Sequence, residues 1–342
     1  MSTDPETVCE PVKFLEPGTL AVNGHVLAPS TLPGRVSEIL SPELQLDMAD
    51  ENSPPGLGYE TSAPNQVVGL LVTVADRVNT AVLDRFPALR AVGTASAGTD
   101  HVDVTALSKR EIALAAVPGV LTETTADLAW ALILAAARRL GEAERVLRSG
   151  RWSGWSPLFL TGQDVYGKTL GIVGLGRIGT AVARRAQGFS MTLLYHSRHA
   201  QPAGDALSAR RVPLETLLAE SDVVILALPG GPETRGLIGR QELARMKDEA
   251  VLVNIGRGDA LDLSALSEEL ERGRLAGVGL DVYPEEPLPP SHPILTHERV
   301  VALPHIGSAT LRTRVGMAEG AARAVKALLL GEDLPDTAVR VL

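Results

Sequence analysis

Three ionisable side chains in the second half of this 342-residue chain each follow a short apolar run. Arg257 stands between two glycines after one run, and glycine neighbours allow a ligand to approach its guanidinium closely. Glu286 lies in a Pro-containing segment after a second run, and His305 follows a third. In an open α/β sheet, ligands bind beyond the carboxyl ends of the strands, so these positions predict a shared site.

These side-chain types fit the reduction of a 2-oxo acid. Arginine is a natural bidentate partner of a carboxylate, so Arg257 is expected to hold the acid group and polarise the ketone. His305 is expected to donate the proton to the developing alkoxide, and Glu286 to pair with His305 and keep it protonated near neutral pH. The hydride would come from a nicotinamide cofactor. Singly, each residue has an ordinary structural explanation, so the prediction depends on their combination.

A glycine-rich segment predicts where that cofactor binds. An apolar strand leads into the sequence GLGRIG, whose Gly174, Gly176 and Gly179 have the spacing of the dinucleotide-binding fingerprint. The first glycine permits a tight turn, the second lets the backbone approach a pyrophosphate, and the third lets helix and strand pack closely. Arg177 and Ile178 lie where the helix begins, and backbone N–H groups at a helix start bind anions.

The end of the next strand predicts which dinucleotide is preferred. NAD-binding folds usually carry an acid about 20 residues after the glycines, whereas the first acid here is Asp205. Ser197 and Arg198 stand at the strand end instead, and both can bind a 2′-phosphate. The prediction is a preference for NADPH over NADH; the alternative is that Arg198 is a solvated charge. Pro229 opens a turn, 229–232, that is expected to lie against the cofactor.

Apolar strands alternate with helical stretches along most of the chain, which predicts an α/β architecture with parallel sheets. The candidate strands lie at 25–28, 67–74, 89–92, 112–117, 171–173, 191–195, 223–228, 250–255, 277–282 and 300–303. Long helices are predicted at 122–140, where Thr124 and Asp127 resemble a capping box, and at 310–330. The rhythm changes at Pro118-Gly119, which indicates two domains.

Composition narrows the class of protein. The net charge of −9 offers no basic excess for nucleic acid, and no apolar run approaches the roughly 18 residues of a membrane span. The single cysteine, Cys9, predicts neither an internal disulfide nor a thiolate metal site, and we expect a cytoplasmic protein without a bound metal. Residues 1–20 form a polar extension without an apolar signal core, and the segment Ser53–Gly56 is predicted to be a loop.

Four segments resemble the D-isomer-specific 2-hydroxyacid dehydrogenases. They are GIVGLGRIG, NIGRGDAL (Asn254–Leu261), GLDVYPEEPLP (Gly279–Pro289) and LPHIGSAT (Leu303–Thr310). Within that family the chain is most similar to the glyoxylate/hydroxypyruvate reductase branch, which also includes 2-ketogluconate reductases. The resemblance extends from Val67 to the C terminus.

The resemblance implies roles for individual residues. The family's catalytic arginine, glutamate and histidine fall on Arg257, Glu286 and His305. Asp281 matches the group that hydrogen-bonds the nicotinamide amide. The segment Ala97-Gly98 matches the loop whose backbone N–H groups bind the substrate carboxylate.

The resemblance also implies an architecture. It comprises two Rossmann-like doubly wound parallel-sheet domains with the active site in the cleft between them. The substrate-binding domain would be discontinuous, 1–117 with 306–342, and the dinucleotide-binding domain would span 118–305. The family is usually homodimeric through residues 120–160, which would make Trp152 and Trp155 interface anchors. From the sequence alone, the two tryptophans are equally well explained as core residues.

Several functions remain compatible with these residues. The leading one is NAD(P)H-dependent reduction of glyoxylate or hydroxypyruvate to the D-2-hydroxy acid, with 2-ketogluconate as the next candidate substrate. Oxidation of a small anion such as phosphite or formate is a rival, although Glu286 argues against a formate-type site. A protein that senses NAD(P) without catalysis, like the dehydrogenase-like transcriptional corepressors, is the alternative from another class.

Overall fold

The structure, a computed structural model, describes residues 24–29, 32–49 and 61–342. The described residues form two compact units, one drawn from Met1–Val117 with Val315–Leu342 and the other from Pro118–Arg314. Cys9, the predicted extension 1–20 and the predicted loop Ser53–Gly56 lie outside the described residues. Over the described ranges, no helix has the length and apolar character that crossing a membrane requires.

Thirteen strands and eleven α-helices are numbered here in chain order over the described residues. They are β1 (Gly24–Ala28), α1 (Val36–Leu40), β2 (Leu44–Met48), β3 (Val67–Val72), α2 (Thr80–Asp84), β4 (Ala91–Thr94), α3 (Val104–Ser108), β5 (Ala113–Ala116), α4 (Thr122–Ala137), α5 (Leu140–Arg148), β6 (Thr169–Val173), α6 (Arg177–Ala186), β7 (Thr192–His196), α7 (Pro202–Ala206), β8 (Arg210–Arg211), α8 (Leu214–Glu220), β9 (Val223–Leu226), α9 (Arg240–Arg245), β10 (Val251–Asn254), α10 (Leu263–Glu271), β11 (Gly277–Leu280), β12 (Val300–Ala302), α11 (Leu311–Leu330) and β13 (Val339–Arg340).

The first unit is built on a six-stranded sheet with the order β2-β1-β3-β4-β5-β13. Neighbouring strands are parallel except β13, which runs antiparallel to β5. The part of α11 that belongs to this unit packs closely on the sheet, because a Cβ at Gly93 would lie 2.4 Å from Val325 and one at Gly69 would lie 2.9 Å from it. The absence of side chains at these two glycines therefore allows the close helix–sheet approach.

The second unit is built on a seven-stranded, entirely parallel sheet with the order β8-β7-β6-β9-β10-β11-β12. This is the strand order of a dinucleotide-binding fold. Strands β6, β7 and β8 follow one another towards one edge of the sheet and β9 to β12 towards the other, so the order of addition switches between β6 and β9. Alternate residues of β9 face opposite layers: Val223 and Ile225 belong to one apolar cluster, and Val224 and Leu226 to the other. A sheet covered on both faces explains why its strands are continuous apolar runs.

The two parallel-sheet units confirm the predicted fold class. The second unit extends to Arg314, beyond the predicted end at 305. Residues 306–314 stay with it because the Ile306 and Gly307 amides bond to Asp281, and the Thr313 and Thr124 hydroxyls lie 2.6 Å apart.

One local prediction is wrong, and one of two alternatives is excluded. Thr124 and Asp127 do not cap α4, since Leu121 is its N-cap and makes no side-chain cap bond; Asp127 instead accepts from Arg185 at 2.7 Å. Trp152 and Trp155 are not core residues, because they are 52% and 82% exposed. The strand β2 and the helix α5 were not predicted. Buried and exposed residues do not alternate regularly along β2, so its sequence lacks a clear strand pattern.

Candidate active site

Glu286 and His305 form a hydrogen-bonded pair beyond the ends of β11 and β12. His305 Nδ1 lies 2.6 Å from Glu286 Oε2, and each side chain is about one-third exposed. A carboxylate oxygen is an acceptor, so Nδ1 carries the proton and Nε2 is the ring nitrogen left for another partner. Burial by itself raises the pKa of the Glu286 carboxyl, but the hydrogen bond and charge of His305, the Tyr283 amide and the charge of Arg257 hold it below its usual value.

His305 is held in an uncommon backbone conformation. Its φ is +53°, in the left-handed region that non-glycine residues seldom occupy. The buried carboxylate of Asp281 fixes the residues that follow, because Oδ1 accepts from the Ile306 amide and Oδ2 from the Gly307 amide, both at 2.8 Å. Burial raises the pKa of the Asp281 carboxyl, against the lowering effect of these amides and of His305. The bonds from Asp281 to the two residues after His305 thus hold the strained conformation in place.

Tyr283 connects the two catalytic candidates, and no sequence signal singled it out. Its backbone N–H donates to Glu286 Oε1 at 2.9 Å, while its hydroxyl donates to the Leu303 carbonyl at 3.0 Å. Burial, with the charges of Asp281 and Glu286, raises the pKa of Tyr283 to about 12, so the hydroxyl remains a donor. One residue therefore orients the carboxylate and ties down the strand end that precedes His305.

Arg257 follows β10 in a loop fixed by a buried asparagine. The Asn254 amide group donates to the Arg257 carbonyl at 2.9 Å, and its oxygen accepts from the Gly256 amide at 3.1 Å. The flanking glycines are required by packing, since a Cβ at Gly256 would lie 2.7 Å from the Leu228 carbonyl oxygen and one at Gly258 would lie 1.8 Å from the Tyr283 carbonyl carbon. Asn254 is a second positioning residue that the sequence did not identify.

The glycine turn after β6 has the geometry that its spacing predicts. Gly174 has a φ of +100°, and a Cβ there would lie 2.6 Å from the Ala227 carbonyl oxygen. A Cβ at Gly179 would lie 2.2 Å from the Gly174 oxygen, which shows the close packing of helix on strand. At Gly176, by contrast, a Cβ would meet no heavy atom within 4 Å.

The start of α6 leaves backbone donors for an anion. Gly176 is the N-cap and provides no side-chain cap, and the Thr180 amide, bonded to the Gly176 carbonyl at 2.9 Å, begins the hydrogen-bond ladder. The amides of Arg177, Ile178 and Gly179 precede that ladder. Open space at Gly176 and these donors fit a dinucleotide pyrophosphate.

Ser197 and Arg198 lie at the end of β7, where the sequence placed them. The Arg198 guanidinium is paired with Glu233 at 2.5 Å, and both side chains are more than 70% exposed. Arg211, not identified from the sequence, donates to the carbonyls of Ser197 and Arg198 at 3.0 and 2.7 Å and so fixes this segment. The Pro229 carbonyl accepts from the Thr234 hydroxyl at 2.9 Å, which closes the turn after β9.

The second unit thus brings most of the predicted residues to the carboxyl edge of one sheet. The glycine turn, Ser197, Arg198, Pro229, Arg257, Asp281, Glu286 and His305 all follow parallel strands of that sheet. Ala97 and Gly98 follow β4 at the carboxyl edge of the first unit's sheet. Among the described residues, no three His, Cys, Asp or Glu side chains form a group that could hold a metal ion.

Known proteins share both the sequence and the fold. Residues 130–307 match the family model described as the D-isomer specific 2-hydroxyacid dehydrogenase, NAD binding domain. A glyoxylate reductase of Korarchaeum cryptofilum is 43% identical over 314 residues, covering 91% of this chain and 95% of that protein. A glyoxylate/hydroxypyruvate reductase B of an Enterobacter species is 44% identical over 295 residues, covering 86% and 91%.

A solved structure provides the matching fold. The NADPH-dependent glyoxylate/hydroxypyruvate reductase of Sinorhizobium meliloti, in complex with NADP and malonate, superposes with a TM-score of 0.79 at 34% identity. The match covers 90% of this chain and 93% of that one.

Proposed function

This chain belongs to the D-isomer specific 2-hydroxyacid dehydrogenase family, and we propose that it reduces glyoxylate and hydroxypyruvate to 2-hydroxy acids of the D series with NAD(P)H. The observation that carries the proposal is the 2.6 Å pair of Glu286 and His305 at the strand ends of a dinucleotide-binding sheet. Relatives named glyoxylate reductase and glyoxylate/hydroxypyruvate reductase support the substrate class.

The roles of the residues follow from their chemistry. Arg257 binds the substrate carboxylate and polarises the adjacent carbonyl, because its guanidinium is always charged and its loop is fixed by Asn254. His305 gives its Nε2 proton to the carbonyl oxygen, while Nδ1 keeps its own proton in the hydrogen bond to Glu286. The Glu286 carboxylate stabilises the charged ring before transfer. When bound, the reduced nicotinamide supplies the hydride that reaches the carbonyl carbon.

The two units divide the binding work in this proposal. The glycine turn and α6 of the second unit bind the dinucleotide pyrophosphate, and Asp281, which follows β11 of the same sheet, is assigned to the nicotinamide amide. The Ala97-Gly98 segment of the first unit binds the substrate carboxylate through backbone N–H groups. This assignment makes 1–117 with the C-terminal segment the substrate domain.

A panel assay tests the reaction. Purified protein is mixed with NADPH or NADH and with glyoxylate, hydroxypyruvate, pyruvate or 2-ketogluconate, and consumption of the reduced nicotinamide is followed by absorbance. We expect turnover with glyoxylate and hydroxypyruvate. Turnover with 2-ketogluconate alone would identify the neighbouring activity, and cofactor binding without turnover on any acid would support a sensor.

We further propose that NADPH is the preferred cofactor, through Ser197 and Arg198. A 2′-phosphate would take Arg198 from Glu233, and an exposed ion pair of this kind contributes only about 0–1 kcal/mol, so the exchange is inexpensive. Arg198→Gln should lower kcat/KM for NADPH and leave that for NADH nearly unchanged. Arg210→Gln, on the adjacent strand β8, breaks the exposed pair with Glu220 at the end of α8 and is the matched control. A higher kcat/KM for NADH in the unmodified protein would contradict the preference.

A second copy of this chain is the proposed macromolecular partner. Large apolar side chains are exposed along one segment of the second unit: Leu140, Leu147, Trp152, Trp155, Leu158, Phe159 and Tyr166. Aromatic and apolar side chains concentrated in this way are typical of protein interfaces. Light scattering should give twice the 36.0 kDa chain mass, and Trp155→Asp should shift it towards the monomer. A monomeric mass for the unmodified protein would exclude this interface.

A further inference from the structure

Three side chains of the first unit, His101, Thr94 and Ser96, form a hydrogen-bonded relay that ends at the Ala97-Gly98 segment. His101 Nε2 lies 2.9 Å from Thr94 Oγ1, and Thr94 Oγ1 lies 2.7 Å from Ser96 Oγ. Ser96 Oγ in turn donates to the Gly98 carbonyl oxygen at 2.6 Å. Thr94 and Ser96 are buried, so these contacts are shielded from water.

The donor and the acceptor of each hydrogen bond in this relay can be deduced by counting the available protons. A carbonyl only accepts, so the single hydroxyl proton of Ser96 is committed to Gly98. Ser96 Oγ must then accept from the Thr94 hydroxyl, which commits the only proton of Thr94. Thr94 Oγ1 must therefore accept from His101, and His101 carries a proton on Nε2.

The relay fixes the loop that bears the proposed carboxylate-binding amides. The Ser96 carbonyl accepts from the Val117 amide at 3.0 Å, and the Gly98 carbonyl accepts from Ser96 Oγ. Because a peptide unit is planar, these two bonds fix the peptide planes on either side of Ala97 and Gly98. Within the described part of the chain, the amides of Ala97 and Gly98 donate to no protein acceptor. The Ser96 and Gly98 carbonyls are thus engaged in hydrogen bonds, while the Ala97 and Gly98 amides stay available as donors.

We propose that Ser96, oriented by Thr94 and His101, is the positioning residue of the substrate-carboxylate loop. This proposal rests on the proposed reduction of a 2-oxo acid. None of the three side chains reacts; they hold donors that would otherwise rotate, and preorganised donors bind an anion more tightly than mobile ones. Loss of the relay should therefore weaken binding of the acid while the cofactor binds normally.

Thr94 offers a matched pair of variants. Thr94→Val keeps the shape and removes the hydroxyl, whereas Thr94→Ser keeps the hydroxyl and removes the methyl group. We expect Thr94→Val to raise KM for glyoxylate about 3- to 10-fold, the effect of one lost hydrogen bond, with kcat and KM for NADPH close to wild type. Thr94→Ser should remain within about twofold of wild type. The double variant Thr94→Val with Ser96→Ala should raise KM for glyoxylate no more than Ser96→Ala alone, because both changes break the same relay.

The ring nitrogens of His101 give a readout that is independent of turnover. His101 is one of seven histidines, so its nitrogen resonances can be assigned by comparison with His101→Gln. We expect a proton on Nε2 in the wild type and a changed Nε2 signal in Thr94→Val. An unprotonated Nε2 would overturn the relay, as would equal KM increases in the Val and Ser variants or a parallel rise in KM for NADPH. A wild type without turnover on any 2-oxo acid would refute the proposed function, and the nitrogen signals would still decide the relay.

Discussion

Gly258 allows the arginine loop to pack directly on the backbone that orients Glu286, so Gly258→Ala should inactivate the enzyme. The added Cβ would lie 1.8 Å from the Tyr283 carbonyl carbon and 2.2 Å from its oxygen. These are backbone atoms, so no rotamer change relieves the clash. An ordinary contact begins at 3.4 Å, so the two segments must separate by about 3.4 − 1.8 = 1.6 Å.

That separation acts on two groups that have roles in the proposed reaction, Arg257 and Glu286. Tyr283 N–H is bonded to Glu286 Oε1 at 2.9 Å, and Arg257 immediately precedes Gly258. Because a misplacement of about 1 Å can cost about 10²-fold in rate, kcat/KM for glyoxylate should fall by about 10²-fold or more. Overpacking should also lower the free energy of unfolding by about 1–3 kcal/mol.

The assay compares Gly258→Ala with Gly188→Ala, at which an added Cβ meets no heavy atom within 4 Å. Steady-state reduction of glyoxylate is measured together with thermal unfolding and NADPH binding. The control should match the wild type in all three. A Gly258→Ala variant with kcat/KM within about threefold of wild type would refute the idea that this backbone contact sets the spacing of Arg257 and Glu286.

Other substitutions separate the roles of the site residues. His305→Ala should lower kcat by about 10²-fold or more, as loss of a general acid does, and near-normal turnover would remove it from the mechanism. Arg257→Ala should raise KM for the 2-oxo acid and lower kcat together; a change in neither constant would argue against its assignment. Glu286→Gln should lower kcat/KM for the 2-oxo acid, because the His305 ring loses the carboxylate that accepts from Nδ1 and orients it; an unchanged kcat/KM would argue against the pair. The folded pKa of Glu286 is lowered, so its carboxylate stabilises the fold above the unfolded pKa of about 4.3, and this is lost as pH falls through the folded value. The difference in Tm between wild type and Glu286→Gln should therefore shrink on acidification; a constant difference from about pH 6 to pH 3 would contradict it.

The sequence identified the side chains that could react but not most of those that hold them. Arg257, Glu286 and His305 are marked by local features, since each follows an apolar strand in a loop with glycine or proline. Tyr283 and Asn254 lack such a signal, because their importance depends on which backbone groups of other loops they reach. The fold class was predictable for the opposite reason: strand periodicity is local, and parallel order follows from alternation.

The capping of α4 shows where local patterns fail. Thr124 and Asp127 have the types expected of a cap, but the helix begins three residues earlier than such a cap would require. Their side chains contact Thr313 and Arg185 instead, far away in the sequence. The same limit explains the left-handed conformation of His305, which no residue type in LPHIGSAT demands.

The glycine that begins α6 has a thermodynamic consequence. A serine or aspartate at this position would accept from one of the first amides of the helix, whereas Gly176 has no side chain to do so and leaves these amides to acceptors from outside the chain. The binding energy of a dinucleotide there is then also folding energy of the second unit, since only the folded state presents the amides as a set. Stability becomes a function of cofactor concentration, rising as RT ln(1 + [L]/Kd), so that at about 100 times Kd the gain is about 2.7 kcal/mol. The cellular level of the nicotinamide pool would thereby influence how long the protein survives as well as how fast it works.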